Sequence, residues 1–307
     1  MAKVSFTVLL AFFANLAVAV AKSIAAALTG SASIAAEAAH SWADTGNEIF
    51  LFVADKRGAR KPDSNHPLGH GRESYFWSTI AAFGLFTVGA VVAVMHGIQE
   101  LLDPEPSTDF WVAYLVLAFS AVLEGISFRQ AFREARSAAH ARGTGTLAGV
   151  LSSSNSTLRA VFAEDSAALI GLAIAFVGVL LHQLTGSPVY DALGSILVGV
   201  LLGVVAIVLI ERNRRFIAGQ VTNAGIKSAA LRILLERTEI DHVSYLHIEF
   251  VGPDRVFLVA AVDLTGNEDE SHVAIRLRKI ERDLEQNDHI EEAVLTLATP
   301  DQAALTP

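Results

Sequence analysis

The sequence predicts an α-helical membrane domain of six transmembrane helices followed by a small α+β domain. Hydrophobic residues make up 52% of the 307 residues and charged residues only 18%, a composition typical of multi-spanning membrane proteins. Six stretches approach the roughly 20 apolar residues that a spanning helix needs, and the sequence turns polar beyond about residue 211. We therefore expect a transmembrane domain at residues 1–212 and a second domain at residues 213–307.

The predicted spans are separated by segments that cannot continue a helix. Gly30 lies in a Thr-Gly-Ser turn after the first span, Pro104 follows the third, and Gly186 precedes the last. Glycine and proline of this kind end helices. The predicted spans cover about residues 5–28, 32–54, 76–99, 110–132, 157–183 and 188–210.

The first apolar stretch has an alternative interpretation as a cleaved signal peptide. Lys3 precedes the apolar run, and residues 19–21 (Ala-Val-Ala) resemble a small-residue cleavage site. Apolar character continues past Lys22 to Leu28, with no mature-domain composition after it. This continuation favours a membrane span.

Basic residues predict the orientation of the chain in the membrane. They follow the second, fourth and sixth predicted spans, whereas the other connections carry none. By the positive-inside rule, both termini and the C-terminal domain are cytoplasmic, in a bacterial inner membrane or on the equivalent side of an organelle membrane. The basic residues are Lys56, Arg57, Arg60, Lys61, Arg72, Arg129, Arg133, Arg136, Arg142, Arg212, Arg214 and Arg215.

The polar C-terminal part predicts the order helix, strand, strand, helix, strand. Two segments have helical periodicity, and three runs are rich in β-forming residues. This αββαβ order fits a small ferredoxin-like domain. Such a domain leaves a sheet face and an edge that a second copy often covers, so we expect a homodimer. The predicted elements are residues 226–237, 243–251, 256–264, 270–286 and 290–298.

Composition and motifs exclude several functions. A net charge of -9 argues against a nucleic-acid partner. Cysteine is absent, which excludes disulfides, cysteine-based zinc sites and thiolate catalysis. An intramembrane metalloprotease or other enzyme would need a metal and a general base, and the sequence has no HExxH or comparable motif. We expect a protein that is not an enzyme and has no prosthetic group.

Four ionisable residues lie within the second and fifth predicted spans. His40 and Asp44 are four residues apart and share a helix face, while Glu164 and Asp165 lie in the fifth span. Titratable groups at bilayer depth cost about 2.5 kcal/mol or more each, so they usually face the interior of a bundle and handle an ion or a proton. Imidazole and carboxylate groups are ligands for divalent metals. The alternative is that they only hydrogen-bond the two spans together.

Three segments carry a more specific pattern: HSWAD at residues 40–44, NHPLGHGRE at 65–73 and EDSAALIGL at 164–172. With the six spans and the αββαβ tail, they resemble the cation diffusion facilitator family of divalent-metal/proton exchangers over nearly the whole chain. The last segment, with AEAAHS at 36–41, is most similar to a divergent subgroup that includes a mitochondrial zinc transporter.

The resemblance implies a transport site with one residue altered. In the family, spans two and five each supply two metal ligands four residues apart. His40 and Asp44 match the first pair, and Asp165 matches one member of the second. Its partner position is Val161, which cannot bind a metal. Glu164 is the nearest substitute, although neighbouring residues on a helix point about 100° apart. The alternative is a three-ligand site completed by water. Added carboxylate would admit Mn²⁺ or Fe²⁺ beside Zn²⁺.

Other polar residues at membrane depth are expected to hydrogen-bond the ligands or to form a proton path. Glu37 and Asn47 share approximately the helix face of the His–Asp pair, and Glu124 lies on the fourth predicted span. Packing of polar groups against span five is an alternative. An ion pair between Lys22 and Glu124 is a further alternative.

The connection after the second span resembles a second metal site of the family. Asp63, His66 and His70 have the spacing D-x-x-H-x-x-x-H, and two imidazoles near a carboxylate suit Zn²⁺. The alternative is a polar loop without metal. In the tail, residues 298–300 (Ala-Thr-Pro) lack the family's ligands, and His247 and His272 are scattered. The tail is therefore expected to serve dimerisation rather than metal sensing.

The resemblance implies proton-coupled efflux of a divalent cation, most simply Zn²⁺, by alternating access. The expected partners are the metal ion, protons, the lipid bilayer and a second copy of the chain. The alternative function is a non-transporting scaffold or metal-dependent regulator that retains the fold, for which the main argument is Val161.

Overall fold

The computed structural model describes residues 6–29, 32–103, 110–141, 145–299 and 301–306. The chain divides into two compact units. The first comprises Met1–Arg57 and Ser74–Arg214, and the second comprises Gly58–Glu73 and Arg215–Pro307. The second unit therefore includes the connection between the second and third helices as well as the C-terminal part.

The first unit is built from helices. Among the described residues, five stretches are long and apolar enough to cross a membrane, and they overlap five of the six predicted spans. The helices are α1 (Phe6–Thr29), α2 (Ala32–Gly58), α3 (Gly71–Gly84), which continues through a π-helical segment (Leu85–Val91) into α4 (Val92–Leu102), α5 (Phe110–Ala141), α6 (Thr146–Leu151), α7 (Ser156–Thr185) and α8 (Val189–Ile217).

Helix α2 is less apolar than the other predicted spans. It is a continuous helix of 27 residues, which at about 1.5 Å per residue is long enough to cross a bilayer. Acidic residues, among them Asp44 and Glu48, interrupt its apolar surface, and these are the residues that make it a candidate for function. The second predicted span, at residues 32–54, therefore stays a prediction.

The start and end of α7 are well defined. Asn155 caps its N-terminus by accepting a hydrogen bond from the backbone N–H of Leu158 at 3.0 Å. The helix ends at Gly186, whose φ of 70° is the left-handed conformation that glycine adopts easily. Close to the N-terminus, the fully buried Arg159 donates hydrogen bonds to the Ser153 carbonyl and to Oδ1 of Asn213. These contacts tie α7 to α8.

The second unit contains the predicted αββαβ domain. Strand β1 (Ile240–Gly252) pairs antiparallel with β2 (Arg255–Leu264), which pairs in parallel with β3 (Ile290–Leu297). Helices α9 (Ala224–Leu235) and α10 (Glu270–Leu284) contribute to the core beneath this sheet. The buried residues that form the core are Leu231, Leu234, Ile240, Val243, Leu246, Ile248, Leu258, Ala260, Val262, Leu264, Ile280, Leu284, Ala293 and Leu295.

The connection at residues 58–73 packs on the sheet of the second unit. Gly71 and Gly252 approach so closely that a Cβ on Gly71 would lie 2.5 Å from the Gly252 Cα. The Arg72 guanidinium pairs with the Glu249 carboxylate at 2.8 Å. Neither contact follows from local sequence, because the two partners are far apart along the chain.

Candidate metal sites

Five acidic side chains from three helices approach one another within the first unit. Asp44 and Glu48 lie on α2, Glu124 lies on α5, and Glu164 and Asp165 lie on α7. Their carboxylates are close enough for mutual electrostatic repulsion. We call these five residues the buried acidic cluster, because Glu48 and Asp165 are buried and the other three are partly buried. Acidic groups of α2 and α7 thus interact electrostatically, while their role as metal ligands stays a prediction.

Asp165 is anchored within this cluster by α5. Its side chain is buried, and Oδ2 accepts a hydrogen bond of 2.8 Å from Oγ of Ser127. The Ser127 hydroxyl is itself buried. A charged acceptor strengthens such a bond, so Ser127 fixes one carboxylate oxygen and leaves the other available.

Glu164 faces the same cluster despite lying next to Asp165 on α7. The largest charge interaction of its carboxylate is with Asp44 of α2, and its Oε1 is buried with no hydrogen-bond partner in the described structure. The longer glutamate side chain can compensate for the angular offset of neighbouring helical positions.

Val161 is an apolar core residue. It is fully buried in a cluster that includes Val8, Leu51, Phe162 and Leu209. The position that holds a ligand in the family pattern thus contributes packing here, and a polar side chain there would have to be desolvated.

Glu48 is the member of the cluster that sequence reasoning missed. Its side chain is 1% exposed, and neither carboxylate oxygen has a hydrogen-bond partner within the described chain. A signal for it was present, because Glu48 extends the i, i+4 series of His40 and Asp44 by one more turn.

The structure describes the side chains of only some of the other predicted polar residues. The side chains of His40 and Glu37 lie outside the described residues, although both positions belong to α2. Asn47 is buried and faces Gly84. Glu124 lies in the buried acidic cluster and is also attracted by the buried Lys22, so a Lys–Glu interaction and membership of the cluster coexist.

Asp63, His66 and His70 come together in the second unit, and we call them the loop trio. One ligand atom from each lies within 4.8 Å of the others. The Asp63 carboxylate is 2.9 Å from Nε2 of His70 and 3.3 Å from Nδ1 of His66. As expected from its prolines and glycine, this segment is a series of turns.

Hydrogen bonds around the loop trio shift the pKa of two of its members. The His70 imidazole and neighbouring backbone N–H groups hold the pKa of the Asp63 carboxyl well below its usual range. The same carboxylate, together with Glu73 at 3.0 Å from Nδ1 of His70, raises the pKa of the His70 ring. Glu73 also fixes the orientation of that ring, which is the usual arrangement for a metal-binding histidine.

The tail contains a third group, at the ends of two paired strands. Nδ1 of His242 lies 3.5 Å from Asp263 and 3.6 Å from Asp241, and the three could hold a metal ion. No spacing along the chain signals this group, because it depends on the β1–β2 pairing. His247 and His272, by contrast, each interact with a nearby carboxylate, of Glu249 and Asp269.

Comparisons with known proteins define the class of this protein. A family model for the cation efflux transmembrane domain matches residues 8–217. The chain therefore belongs to the cation efflux, or cation diffusion facilitator, family, which is a family of transporters rather than enzymes. It is an integral multi-pass membrane protein.

Among its relatives are a metal tolerance protein, a zinc antiporter and a magnetosome protein. Metal tolerance protein C4 of Arabidopsis thaliana is 34% identical over 233 residues, which are 76% of this chain and 51% of that protein. The mitochondrial proton-coupled zinc antiporter SLC30A9 of Mus musculus is 37% identical over 242 residues, 78% of this chain and 42% of that protein. The chain spans about half the length of these relatives. The magnetosome protein MamB of Magnetospira sp. is 26% identical over 245 residues, 80% of this chain and 78% of that protein.

Proposed function

We propose that this protein transports a divalent metal cation across its membrane in exchange for protons. The observation that carries the proposal is the buried acidic cluster, in which carboxylates of α2, α5 and α7 converge and several oxygens have no hydrogen-bond partner in the described structure. Buried carboxylates of this kind need a cation or protons to offset their charge. The relatives that are named proton-coupled zinc antiporters support the same function.

The exchange of metal for protons follows because both compete for the same carboxylate and imidazole groups. A divalent ion binds deprotonated carboxylates and neutral imidazole, so its entry releases protons. In the outward-facing state, protons return to those groups and release the metal. The proposed ligands are His40, Asp44, Glu164 and Asp165, while Glu37, Asn47 and Glu124 orient these ligands or carry protons. Alternating access around a site near the bilayer midplane is the usual way such proteins work.

The donor set supports Zn²⁺ as a substrate and admits harder ions. One imidazole with several carboxylates is compatible with Zn²⁺, while carboxylate-rich sites also accept Mn²⁺ or Fe²⁺. We propose that the loop trio is a second metal site. Its two imidazoles and one carboxylate match the ligands that Zn²⁺ prefers, and their atoms are already gathered within 4.8 Å.

We further propose that the protein is a homodimer with both termini in the cytoplasm. One face of the C-terminal sheet carries Tyr245, which is 52% exposed, with the partly exposed Phe257, Val259 and Val294 and the polar His247 and Glu249. A partly apolar, exposed sheet face of this kind is often covered by a second copy. Light scattering of the detergent-solubilised protein should give the mass of a dimer, and Tyr245→Lys should shift it toward the monomer. A monomeric wild-type protein would contradict this proposal.

A second candidate function is a membrane scaffold or metal-dependent regulator that does not transport. The packing of Val161 in the apolar core favours it, because the family's fourth ligand position is lost. Such a protein would keep metal binding without flux.

Flux through purified protein in liposomes separates the two functions. With an imposed pH gradient and a zinc-sensitive dye inside, the wild-type protein should accumulate Zn²⁺, and Asp44→Ala should abolish uptake. Glu211→Gln serves as a matched control, because Glu211 is 40% exposed and pairs with Arg214 outside the buried acidic cluster. Metal binding without any flux would support the regulator instead.

A further inference from the structure

Glu48 is the most unusual side chain in the buried acidic cluster. It is 1% exposed, yet both of its carboxylate oxygens have no hydrogen-bond partner among the described residues. A buried polar group is normally hydrogen-bonded, and a buried charge is normally paired or bound to a metal. Glu48 therefore lacks the compensation that its burial requires.

The charges around Glu48 make the burial of its carboxylate still less favourable. Its four strongest charge interactions are with Glu164, Asp165, Glu124 and Asp44, in that order, and all four partners are acidic. Glu164, which repels Glu48 most strongly, also has a buried oxygen without a hydrogen bond in the described structure. Acidic groups of α2 and α7 with three unpartnered oxygens among the described residues thus repel each other, an arrangement that a dication between them would stabilise.

Sequence position leads to the same conclusion. The series at residues 40, 44 and 48 places three polar side chains on one face of α2 at successive turns. On α7, the family's ligand position is occupied by Val161, which is fully buried in the core. The first unit has lost a donor on one helix and carries an additional donor on the other.

We propose that Glu48 is a further ligand of the transported ion, adding an α2 carboxylate to the proposed ligands at a site where Val161 offers none from α7. This inference rests on the proposed transport function. It also specifies a substrate class: the site gains an oxygen donor and a negative charge, which favour oxygen-preferring dications such as Mn²⁺ relative to Zn²⁺.

The test is metal binding by the full-length protein with the loop trio disabled by Asp63→Ala and His66→Ala. Zn²⁺ and Mn²⁺ are titrated separately into Glu48→Gln and into the matched control Glu211→Gln. Loss of an outer-sphere partner typically weakens metal affinity by about 10- to 100-fold, so loss of a direct ligand should weaken it by at least about tenfold. We expect the loss to be larger for Mn²⁺ than for Zn²⁺ and absent in the control.

Thermal unfolding provides a readout that distinguishes a ligand from a structural residue. Without metal, Glu48→Gln should raise the melting temperature, because it removes one buried negative charge from a repulsive cluster. With metal, the rise in melting temperature on binding should shrink. A structural role predicts the opposite pattern, namely a lower melting temperature without metal and an unchanged rise on binding, and would overturn the proposal.

The remaining outcomes separate this inference from the proposed function. If Glu48→Gln binds both metals as the parent does while Asp165→Asn loses binding, the transport site stands and Glu48 is not a ligand. If the parent itself binds no metal, both proposals fall. Should Glu48→Gln not fold, Glu48→Asp keeps the charge and shortens the side chain by one methylene. An altered preference between Mn²⁺ and Zn²⁺ would then support the proposal, and unchanged affinities would overturn it.

Discussion

The buried acidic cluster and the loop trio are both sets of potential metal ligands, and they differ in what their atoms do without a metal. In the loop trio, the Asp63 carboxylate accepts hydrogen bonds from its own loop, and both histidines lie within 3.3 Å of it. In the buried acidic cluster, oxygens of Glu48 and Glu164 have no such partner within the described residues. The loop can remain ordered when empty, whereas the cluster requires a cation or protons.

Solvent exposure strengthens the contrast. The side chains of His66 and Asp63 are 49% and 42% exposed, so water screens their charges. Asp165 and Glu48 are 2% and 1% exposed, and desolvated charges interact strongly. A change to the cluster should therefore have a larger effect on transport than a change to the loop.

The largest effect expected is the loss of transport in Asp165→Asn. This change keeps the size of the side chain but removes a ligand charge, so Zn²⁺ flux into liposomes should fall by more than about 100-fold. His66→Ala, at an exposed position of the loop trio, should lower flux by less than about tenfold. Equal losses in the two variants would remove the distinction between the sites.

A smaller effect is expected where the loop packs on the sheet. Ala in place of Gly71 would bring a Cβ to 2.5 Å from the Val251 carbonyl oxygen, and such overpacking costs about 1–3 kcal/mol. The loop should then detach locally, and trypsin should cleave faster after the exposed Arg60. Gly145→Ala is the control, because a Cβ there meets no atom within 4 Å. Unchanged cleavage in Gly71→Ala would contradict the packing.

Two serines on α5 allow the anchoring of Asp165 to be tested. Ser127→Ala removes the hydroxyl that donates to Asp165 at 2.8 Å, a hydrogen bond to a charged group worth about 1.5–3 kcal/mol. We expect a rise of about tenfold or more in the Zn²⁺ concentration for half-maximal flux. Ser120→Ala is the matched control for Ser127→Ala, because the Ser120 hydroxyl is buried and has no partner in the described structure. A similar change in both variants would mean that Ser127 does not position Asp165.

The smallest effect is a pH dependence of the empty loop. The lowered pKa of Asp63 stabilises the loop above the carboxyl's ordinary pKa of about 3.9, and this contribution is lost as pH falls. The raised pKa of His70 stabilises the loop below the ordinary imidazole pKa of about 6.5. This stabilisation is lost as the pH rises through the raised pKa of His70. Hydrogen exchange of the Asn65 and His66 amides, corrected for intrinsic rates, should be slowest between these limits.

Zn²⁺ should change this profile, because the metal replaces the proton on His70. With Zn²⁺ bound, protection of the same amides should persist at about pH 8. A profile that does not change on adding Zn²⁺ would argue that the loop trio is a polar turn rather than a metal site.

Local periodicity was sufficient for most of the fold. The apolar stretches predicted five confirmed spans, and the alternation of strand and helix signals predicted the αββαβ domain. Helix α2 shows where hydropathy fails to identify a span, because its acidic residues reduce the apolar signal that defines one. Similarly, the pairing of His242 with Asp263 depends on strand register, which no spacing along the chain reveals.

The sequence by itself determined where helices and strands lie, which polar groups share a helix face, and that Val161 cannot bind a metal. Only the tertiary structure decided which acids meet. Glu48 and Glu124 join Asp165 because α2, α5 and α7 pack together, and the loop trio lies with the second unit. The physical reason is that helical and strand periodicity depend on residues a few positions apart, whereas a charge cluster depends on how distant elements are oriented when their apolar faces pack.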